Sequence, residues 1–275
     1  MSKICLAGSG WGAVAAFKSL KKDFKTIDVN SNDVDLLAIM READNVVNSF
    51  SRNYDVIICA GYMPIITCKD LSKNEFLNIH YSLLPKYRGM HSTVWAILNG
   101  EECLGLTIHK VNENIDDGDI IYQHSMRYED HTATDVMVYC NKHIENNLSK
   151  VITSYLDNNI TPKKQEKSFA SWVCKRNLTD CEIDFSQNIS YLRRFFKALS
   201  SPYPRPYFLL KGSKLTVEKY KFISNDVIMT NGRVVNIDEE GLWIQINGGY
   251  LICSLVVDEN DQKFDFRNIK IGTRL

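Results

Sequence analysis

Apolar residues recur along this chain in two strand rhythms and one helical rhythm, and the changes between them mark the predicted elements. Ile4 to Gly8 and, apart from Asp55, Tyr54 to Ala60 are continuous apolar runs, as expected of strands whose two faces are both covered by helices. Leu77-Asn78-Ile79-His80 alternates apolar with polar, which is the period of a half-buried strand and projects Asn78 and His80 from one face. Helical spacing is predicted from about Gly12 to Lys22, from Val34 to Arg41 and from His91 to Leu98, the last capped by Ser92. Strands are expected at 105–110 and 120–128, on either side of the acidic turn Ile115-Asp116-Asp117-Gly118-Asp119. Thr132 or Thr134 then caps a long helix, whose Val136, Cys140, Ile144, Leu148, Val151 and Tyr155 form one apolar stripe. Strand alternating with helix predicts an α/β, Rossmann-like doubly wound domain.

Beyond residue 157 the pattern changes. Residues 158–182 are polar and irregular, which suits a linker or a strap across the first domain. Tyr191, Phe195, Phe196 and Leu199 mark one more short helix. Pro202, Pro204 and Pro206 exclude helix from the segment that follows, because each fixes φ and removes a donor. From Phe208 onward come short strands separated by Asn231-Gly232, Glu240-Gly241 and Gly248-Gly249, which are turn signals. The expected organisation is a catalytic α/β domain over 1–185, a helix and Pro-rich connector over 186–207, and a small C-terminal β-domain over 208–275.

The 275 residues suit one large and one small domain, and 33 Lys and Arg balance 33 Asp and Glu. That balance argues against an enzyme gripping a long polyanion, so no nucleic-acid partner is expected. The eight cysteines include no CxxC, and several lie in apolar runs, so buried reduced thiols are expected. The N-terminus lacks the apolar core of a signal peptide, and no run approaches ~18 apolar residues. The expectation is a cytoplasmic protein with no membrane association.

Two stretches carry candidate chemistry. Gly8-Ser9-Gly10-Trp11-Gly12-Ala13, with Asp28 after the next strand, fits a dinucleotide-binding loop and makes an NAD-dependent oxidoreductase one alternative. Against it, Trp11 would crowd a pyrophosphate, and glycines also serve simply to turn a strand tightly into its helix. The other stretch is Phe76–Ile121. Asn78 offers an amide donor for an oxyanion, His80 titrates near neutrality, and a carboxylate of the acidic turn can hold the base, a minimal acyl-transfer set. The acidic turn lacks the ligand count of a calcium loop and His80 stands alone as an imidazole, so no metal is expected. A folate- or nucleotide-binding regulator is a further alternative, although a binding module needs no base.

The order Asn-x-His, SLLP, Lys-Tyr-Arg-Gly and Asp-x-Gly-Asp resembles the formyltransferase family that uses 10-formyltetrahydrofolate, strongly over about residues 50–125. The resemblance implies Asn78, His80 and Asp116 as catalytic residues, with Asp117 and Asp119 as neighbouring rivals for the carboxylate. It implies a folate wall made by Tyr62, Met63, Pro64, Ile65, Val111 and Ile115, and a first-domain glycine loop that borders the cleft without binding a nucleotide cofactor. Lys86, Tyr87 and Arg88 on the loop after the strand suit an anionic substrate. Tyr207, with Tyr203 and Arg205 beside it, is a candidate for holding a nucleotide base. The C-terminal β-domain counts against the purine-pathway branch. Its interleaved acids, among them Asp258, Glu259, Asp261 and Asp265, count against the methionyl-tRNA branch, which stays the alternative. The expected reaction is formylation of the 3- or 4-amine of a dTDP-linked deoxyamino sugar, a small-molecule partner, for bacterial lipopolysaccharide or other surface polysaccharide. A homodimer through the C-terminal strands is compatible with that branch.

Overall fold

The computed structural model describes residues 2–275. It divides into two units, Met1–Ala96 with Glu102–Tyr128 and Asp135–Lys175, and Ile97–Glu101 with Glu129–Thr134 and Arg176–Leu275. The second unit thus takes in the chain from Arg176, ahead of the boundary expected at 185, and short inserts from the first half.

In the first unit the elements follow as β1 (Ile4–Gly8), α1 (Gly10–Leu20), β2 (Ile27–Asn30), α2 (Val34–Ala38), β3 (Asn45–Val46), β4 (Val56–Ala60), α3 (Cys68–Leu71), β5 (Phe76–His80), β6 (Arg88–Gly89), α4 (Ser92–Leu98), β7 (Cys103–Lys110), β8 (Ile120–Arg127), α5 (Ala133–Leu156) and β9 (Trp172–Val173). Seven strands form one sheet in the order β3-β2-β1-β4-β5-β7-β8. The first five run parallel, and β7 and β8 are antiparallel additions. β1 and β4 are buried at every position, as continuous apolar runs require. The strand order reverses between β1 and β4, the switch point at whose carboxyl edge open α/β sheets form their clefts.

Two helix boundaries differ from expectation. α1 begins at Gly10 because the Asp33 carboxylate accepts the Gly10 N–H at 2.6 Å, which satisfies a donor the helix start would leave open. α2 stops at Ala38, three residues early. Asp44 accepts N–H groups from both Arg41 and Ile27, which pulls the chain out of helix. The stripe on α5 is buried from Val136 through Val151. Cys5, Cys59, Cys140, Cys181 and Cys253 are buried and free, whereas Cys68, Cys103 and Cys174 are exposed, against the expectation of uniformly buried thiols. Among the described residues no helix is long and apolar enough to cross a membrane.

The second unit holds α6 (Ile189–Ala198), then β10 (Tyr207–Leu210), β11 (Ser213–Ser224), β12 (Val234–Asp238), β13 (Gly241–Ile246) and β14 (Gly249–Val257), an antiparallel sheet ordered β10-β11-β14-β13-β12. Asn188 caps α6 by accepting the Tyr191 N–H. Phe196 on its buried face packs on Tyr220 and Phe222 of β11, with ring centroids 4.3 and 5.4 Å apart.

Candidate active site

Antiparallel pairing of β5 with β7 sets Asn78 opposite His109, and the acidic turn after β7 folds back over both. The result is a cluster of four polar side chains in one unit. Asn78 Nδ2 lies 3.3 Å from His109 Nε2 and 3.4 Å from Asp116 Oδ1. His80 Nδ1 lies 3.5 Å from Asp116 Oδ2, and His109 Nε2 lies 3.4 Å from Asp116 Oδ1. These are long contacts. The tight ones fix the periphery: the Gly89 N–H donates to Asp116 Oδ2 at 2.8 Å, and His80 Nε2 lies 2.8 Å from the Tyr87 carbonyl.

That carbonyl can only accept, so His80 Nε2 carries the hydrogen, and Nδ1, facing Asp116, is the basic nitrogen. Burial pushes the His80 pKa below its usual value; the Asp116 charge and the Tyr87 carbonyl oppose that and do not cancel it. His80 is therefore neutral at pH 7 and able to accept a proton. Burial alone would raise the Asp116 carboxyl, but His109, His80 and the Gly89 N–H outweigh it and hold the pKa at about 2. Asp116 is a carboxylate across the working pH range.

The turn that presents Asp116 has little freedom. Asp116 has φ +49, a region that Asp tolerates better than most residues. A Cβ on Gly118 would sit 1.8 Å from the Lys110 carbonyl oxygen, so only glycine fits there. Tyr87 also has positive φ, +60, which turns its carbonyl toward His80.

The remaining candidates are spread more widely. Asp117 is bound by Arg88 Nη2 at 2.6 Å, whereas Asp116 is the acid that reaches both Asn78 and His80. Met63, Ile65 and Ile115 are 66%, 90% and 69% exposed, so all three present apolar surface to solvent. Tyr62 and Val111 are partly buried against the cluster that includes Phe50 and Phe76. Tyr62, Met63 and Pro64 also line a cavity of about 350 Å³ with Gly8, Ser9 and Asp33 at the carboxyl edge of the sheet. Lys86 is exposed. Tyr87 and Arg88 are buried, and the guanidinium of Arg88 is spent on Gln165 and Asp117. Arg88 therefore faces inward instead of toward an anionic substrate. Tyr207 belongs to the second unit, is buried, and lies with its hydroxyl 3.5 Å from Glu182 Oε2 and Lys214 over its ring. Arg205 is ion-paired with Glu218.

Sequence reasoning missed His109 and Gln165. His109 was visible as the partner of a strand with the same Ile-His ending as β5, Ile108-His109 against Ile79-His80. Gln165 sits in the irregular strap and left no such signal.

The glycine loop offers no seat for a pyrophosphate. The anion position at the start of α1 is filled by the Asp33 carboxylate, and a phosphate there would meet like charge. A larger cavity, about 1270 Å³, opens near the amino end of β1 and is lined by Lys3, Asp28, Arg52 and Tyr54 among others. Its buried Asp28 is already held by Arg52, Tyr54 and Asn45, and it is remote from the Asn–His–Asp cluster in sequence and strand end. No group of three or more His, Cys, Asp or Glu that could hold a metal occurs among the described residues.

Residues 35–152 match the model described as formyl transferase, and residues 177–273 match that of the formyl transferase C-terminal domain. Methionyl-tRNA formyltransferase from Ehrlichia canis is 33% identical over 226 residues, 81% of this chain and 72% of the relative. The bifunctional polymyxin resistance protein ArnA of Wigglesworthia glossinidia brevipalpis is 31% identical over 191 residues, 67% of this chain, a match that spans only 28% of that relative. An N-formyltransferase from Helicobacter canadensis, solved with folinic acid and dTDP-3-aminofucose, superposes with a TM-score of 0.72 at 21% identity. It covers 96% of this chain and 100% of its own. At that identity the superposition establishes the shared fold.

Proposed function

This chain belongs to the formyl transferase family and is an N-formyltransferase, and we propose that it moves a formyl group from 10-formyltetrahydrofolate to the primary amine of a nucleotide-linked deoxyamino sugar. A dTDP-3-amino- or dTDP-4-amino-dideoxyhexose destined for bacterial surface polysaccharide fits best. The observation that carries the chemistry is the convergence of Asn78, neutral His80 and ionised Asp116 at one corner of the sheet.

The acceptor amine attacks the formyl carbon, a C–N bond forms, and charge moves onto the formyl oxygen. The Asn78 amide, held only by contacts of 3.3 and 3.4 Å, exchanges them for that oxyanion. His80 Nδ1 takes the proton the amine must lose, and the imidazolium so formed has Asp116 Oδ2 as its acceptor. Collapse breaks the bond to the folate nitrogen, and that nitrogen receives the proton from His80. The exposed apolar side chains of Met63, Ile65 and Ile115 fit a flat heterocycle, the donor that supplies the formyl group.

The sugar acceptor is supported by the end-to-end superposition on the Helicobacter canadensis enzyme and by the balanced charge of the chain, which provides little overall attraction for a polyanion. Methionyl-tRNA is the second reading, favoured by the curated relatives that carry that name at 25–33% identity. One experiment decides between them: incubation with 10-formyltetrahydrofolate and a panel of dTDP-amino sugars and methionyl-tRNA, with products weighed by mass spectrometry. A gain of one formyl on a dTDP-amino sugar is expected. Formylation of methionyl-tRNA alone overturns the sugar reading.

A further inference from the structure

We propose that Gln165 and Arg88 form a buried clamp that positions the Asp116 carboxylate against His80 and Asn78. The role is one of positioning for formyl transfer, and it rests on the reaction proposed above.

The clamp grips three consecutive residues of the turn, Asp116, Asp117 and Gly118. Gln165 Nε2 donates to the carbonyls of Asp116 and Gly118, both at 2.8 Å. Gln165 Oε1 accepts from Arg88 Nε at 3.1 Å and from Nη2 at 2.8 Å. Arg88 Nη2 reaches the intervening Asp117 at 2.6 Å. A side-chain amide has two donors and two acceptor sites, and Gln165 uses all four. Both residues are buried, at 8% and 3% exposure, so water does not replace what they supply.

Arg88 extends the grip to the far side of Asp116. It pairs as strand with Trp172, next to the Gly89–Val173 pair, and its guanidinium lies 5.5 Å from the Trp172 ring centre. The Arg88 N–H donates to the Ser171 carbonyl, and the Tyr87 N–H donates to the Ser171 hydroxyl. Gly89, whose N–H holds Asp116 Oδ2, is thereby fixed by the same strap that carries Gln165. The backbone at Asp116 and the amide that holds its side chain are set by one buried unit.

That arrangement bears on rate because Asp116 acts across contacts of about 3.5 Å. A displacement of about 1 Å at such a site costs on the order of 10²-fold, while the turn's φ of +49 at Asp116 gives it a reason to relax if released. The charged and titratable groups around His80 are Asp116 and His109, with the Arg88–Asp117 pair one residue further out. Movement of Asp116 therefore registers directly on the His80 imidazole.

The test uses Gln165→Met, which keeps the volume and loses all four hydrogen bonds, and Arg88→Lys, which keeps the charge and loses the two-point hold on Gln165. His80 is titrated by imidazole NMR in both, in the wild type and in Asp116→Asn, alongside steady-state kinetics. The expected result is a His80 midpoint moved downward in Gln165→Met, in the direction Asp116→Asn moves it. kcat should fall about 10- to 100-fold, as for outer-sphere supports of a catalytic group, with acceptor KM within about twofold. Arg88→Lys should follow in the same direction by less. A His80 midpoint and kcat at wild-type values in both variants, with only the melting temperature lowered, overturn the proposal, and so does failure of both to fold. The NMR titration needs no substrate. A wild type inactive on every acceptor would sink the functional reading while the clamp was still judged on His80.

Discussion

Two loops leave the carboxyl edge of the same sheet, and they handle polar groups in opposite ways. At the β1–α1 loop the Gly10 N–H is met by Asp33 at 2.6 Å, and the same carboxylate caps α2 through the Leu36 N–H at 2.9 Å. That loop is electrostatically complete. At the β5–β7 corner, Asn78 and His80 face Asp116 across 3.4 and 3.5 Å, while the supporting hydrogen bonds behind Asp116 are all about 2.8 Å. The glycine motif looks more like a ligand site in the sequence, yet the corner is the place where polar groups are held in position without being used up. In the proposed reaction, loose front contacts work on a tightly built backing.

Breaking the corner should have the largest effect. His80→Ala and Asp116→Ala are each expected to lower kcat by about 10²–10⁴-fold with circular dichroism unchanged; near-normal turnover in His80→Ala refutes the mechanism. Asn78→Ala should cost about 10²–10³-fold in kcat through loss of the oxyanion donor. The pH profile sharpens the contrast further. Because burial lowers the His80 pKa and the proposed mechanism uses the neutral imidazole, kcat/KM should stay level near neutrality. It should then decline as pH falls through a midpoint below about 6.5. Asp116→Asn should move that midpoint lower still, since it removes the charge that raises it. A midpoint above 7 would show that His80 is not the titrating base.

The complete loop should give only a stability effect. Asp33→Ala removes a cap and should cost about 1 kcal/mol by chemical denaturation. NAD should leave the melting temperature of the wild type unchanged, whereas 10-formyltetrahydrofolate should raise it, because only a ligand of the native state does so. Stabilisation by NAD would restore the dinucleotide reading of the loop.

The legibility of these two regions from sequence follows from the range of their interactions. Buried strands such as Val56–Ala60 and the α5 stripe declare themselves through local period, which burial on one or both faces imposes. Asn78 and His80 share a face because neighbours two apart in a strand must. His109 joins them only through antiparallel register, and nothing local in its segment sets that register. Arg88 illustrates the opposite case: a cation on the loop after the strand that carries Asn78 and His80 suits an anionic ligand, but its partner Gln165 lies 77 residues away in a stretch without period. Tyr207 is a related case, since the Pro-rich segment gave no sign that the residue starts a strand and is buried.

The strap has a consequence for the order in which the molecule assembles. Its contacts with the acidic turn join residues 47 and 49 apart, and those with Arg88 join residues 77 apart, whereas the β1–β2 and β4–β5 pairs join residues 23 and 19 apart. Closing long loops costs entropy before their contacts repay it, so the strap is expected to dock after these strand pairs have formed. The same ordering runs in reverse in the native state. Amides of Gln165, Ser171 and Gly89 should exchange with deuterium through a partial opening that leaves β1 and β4 protected, making the reactive corner the last region to be finished and the first to be undone.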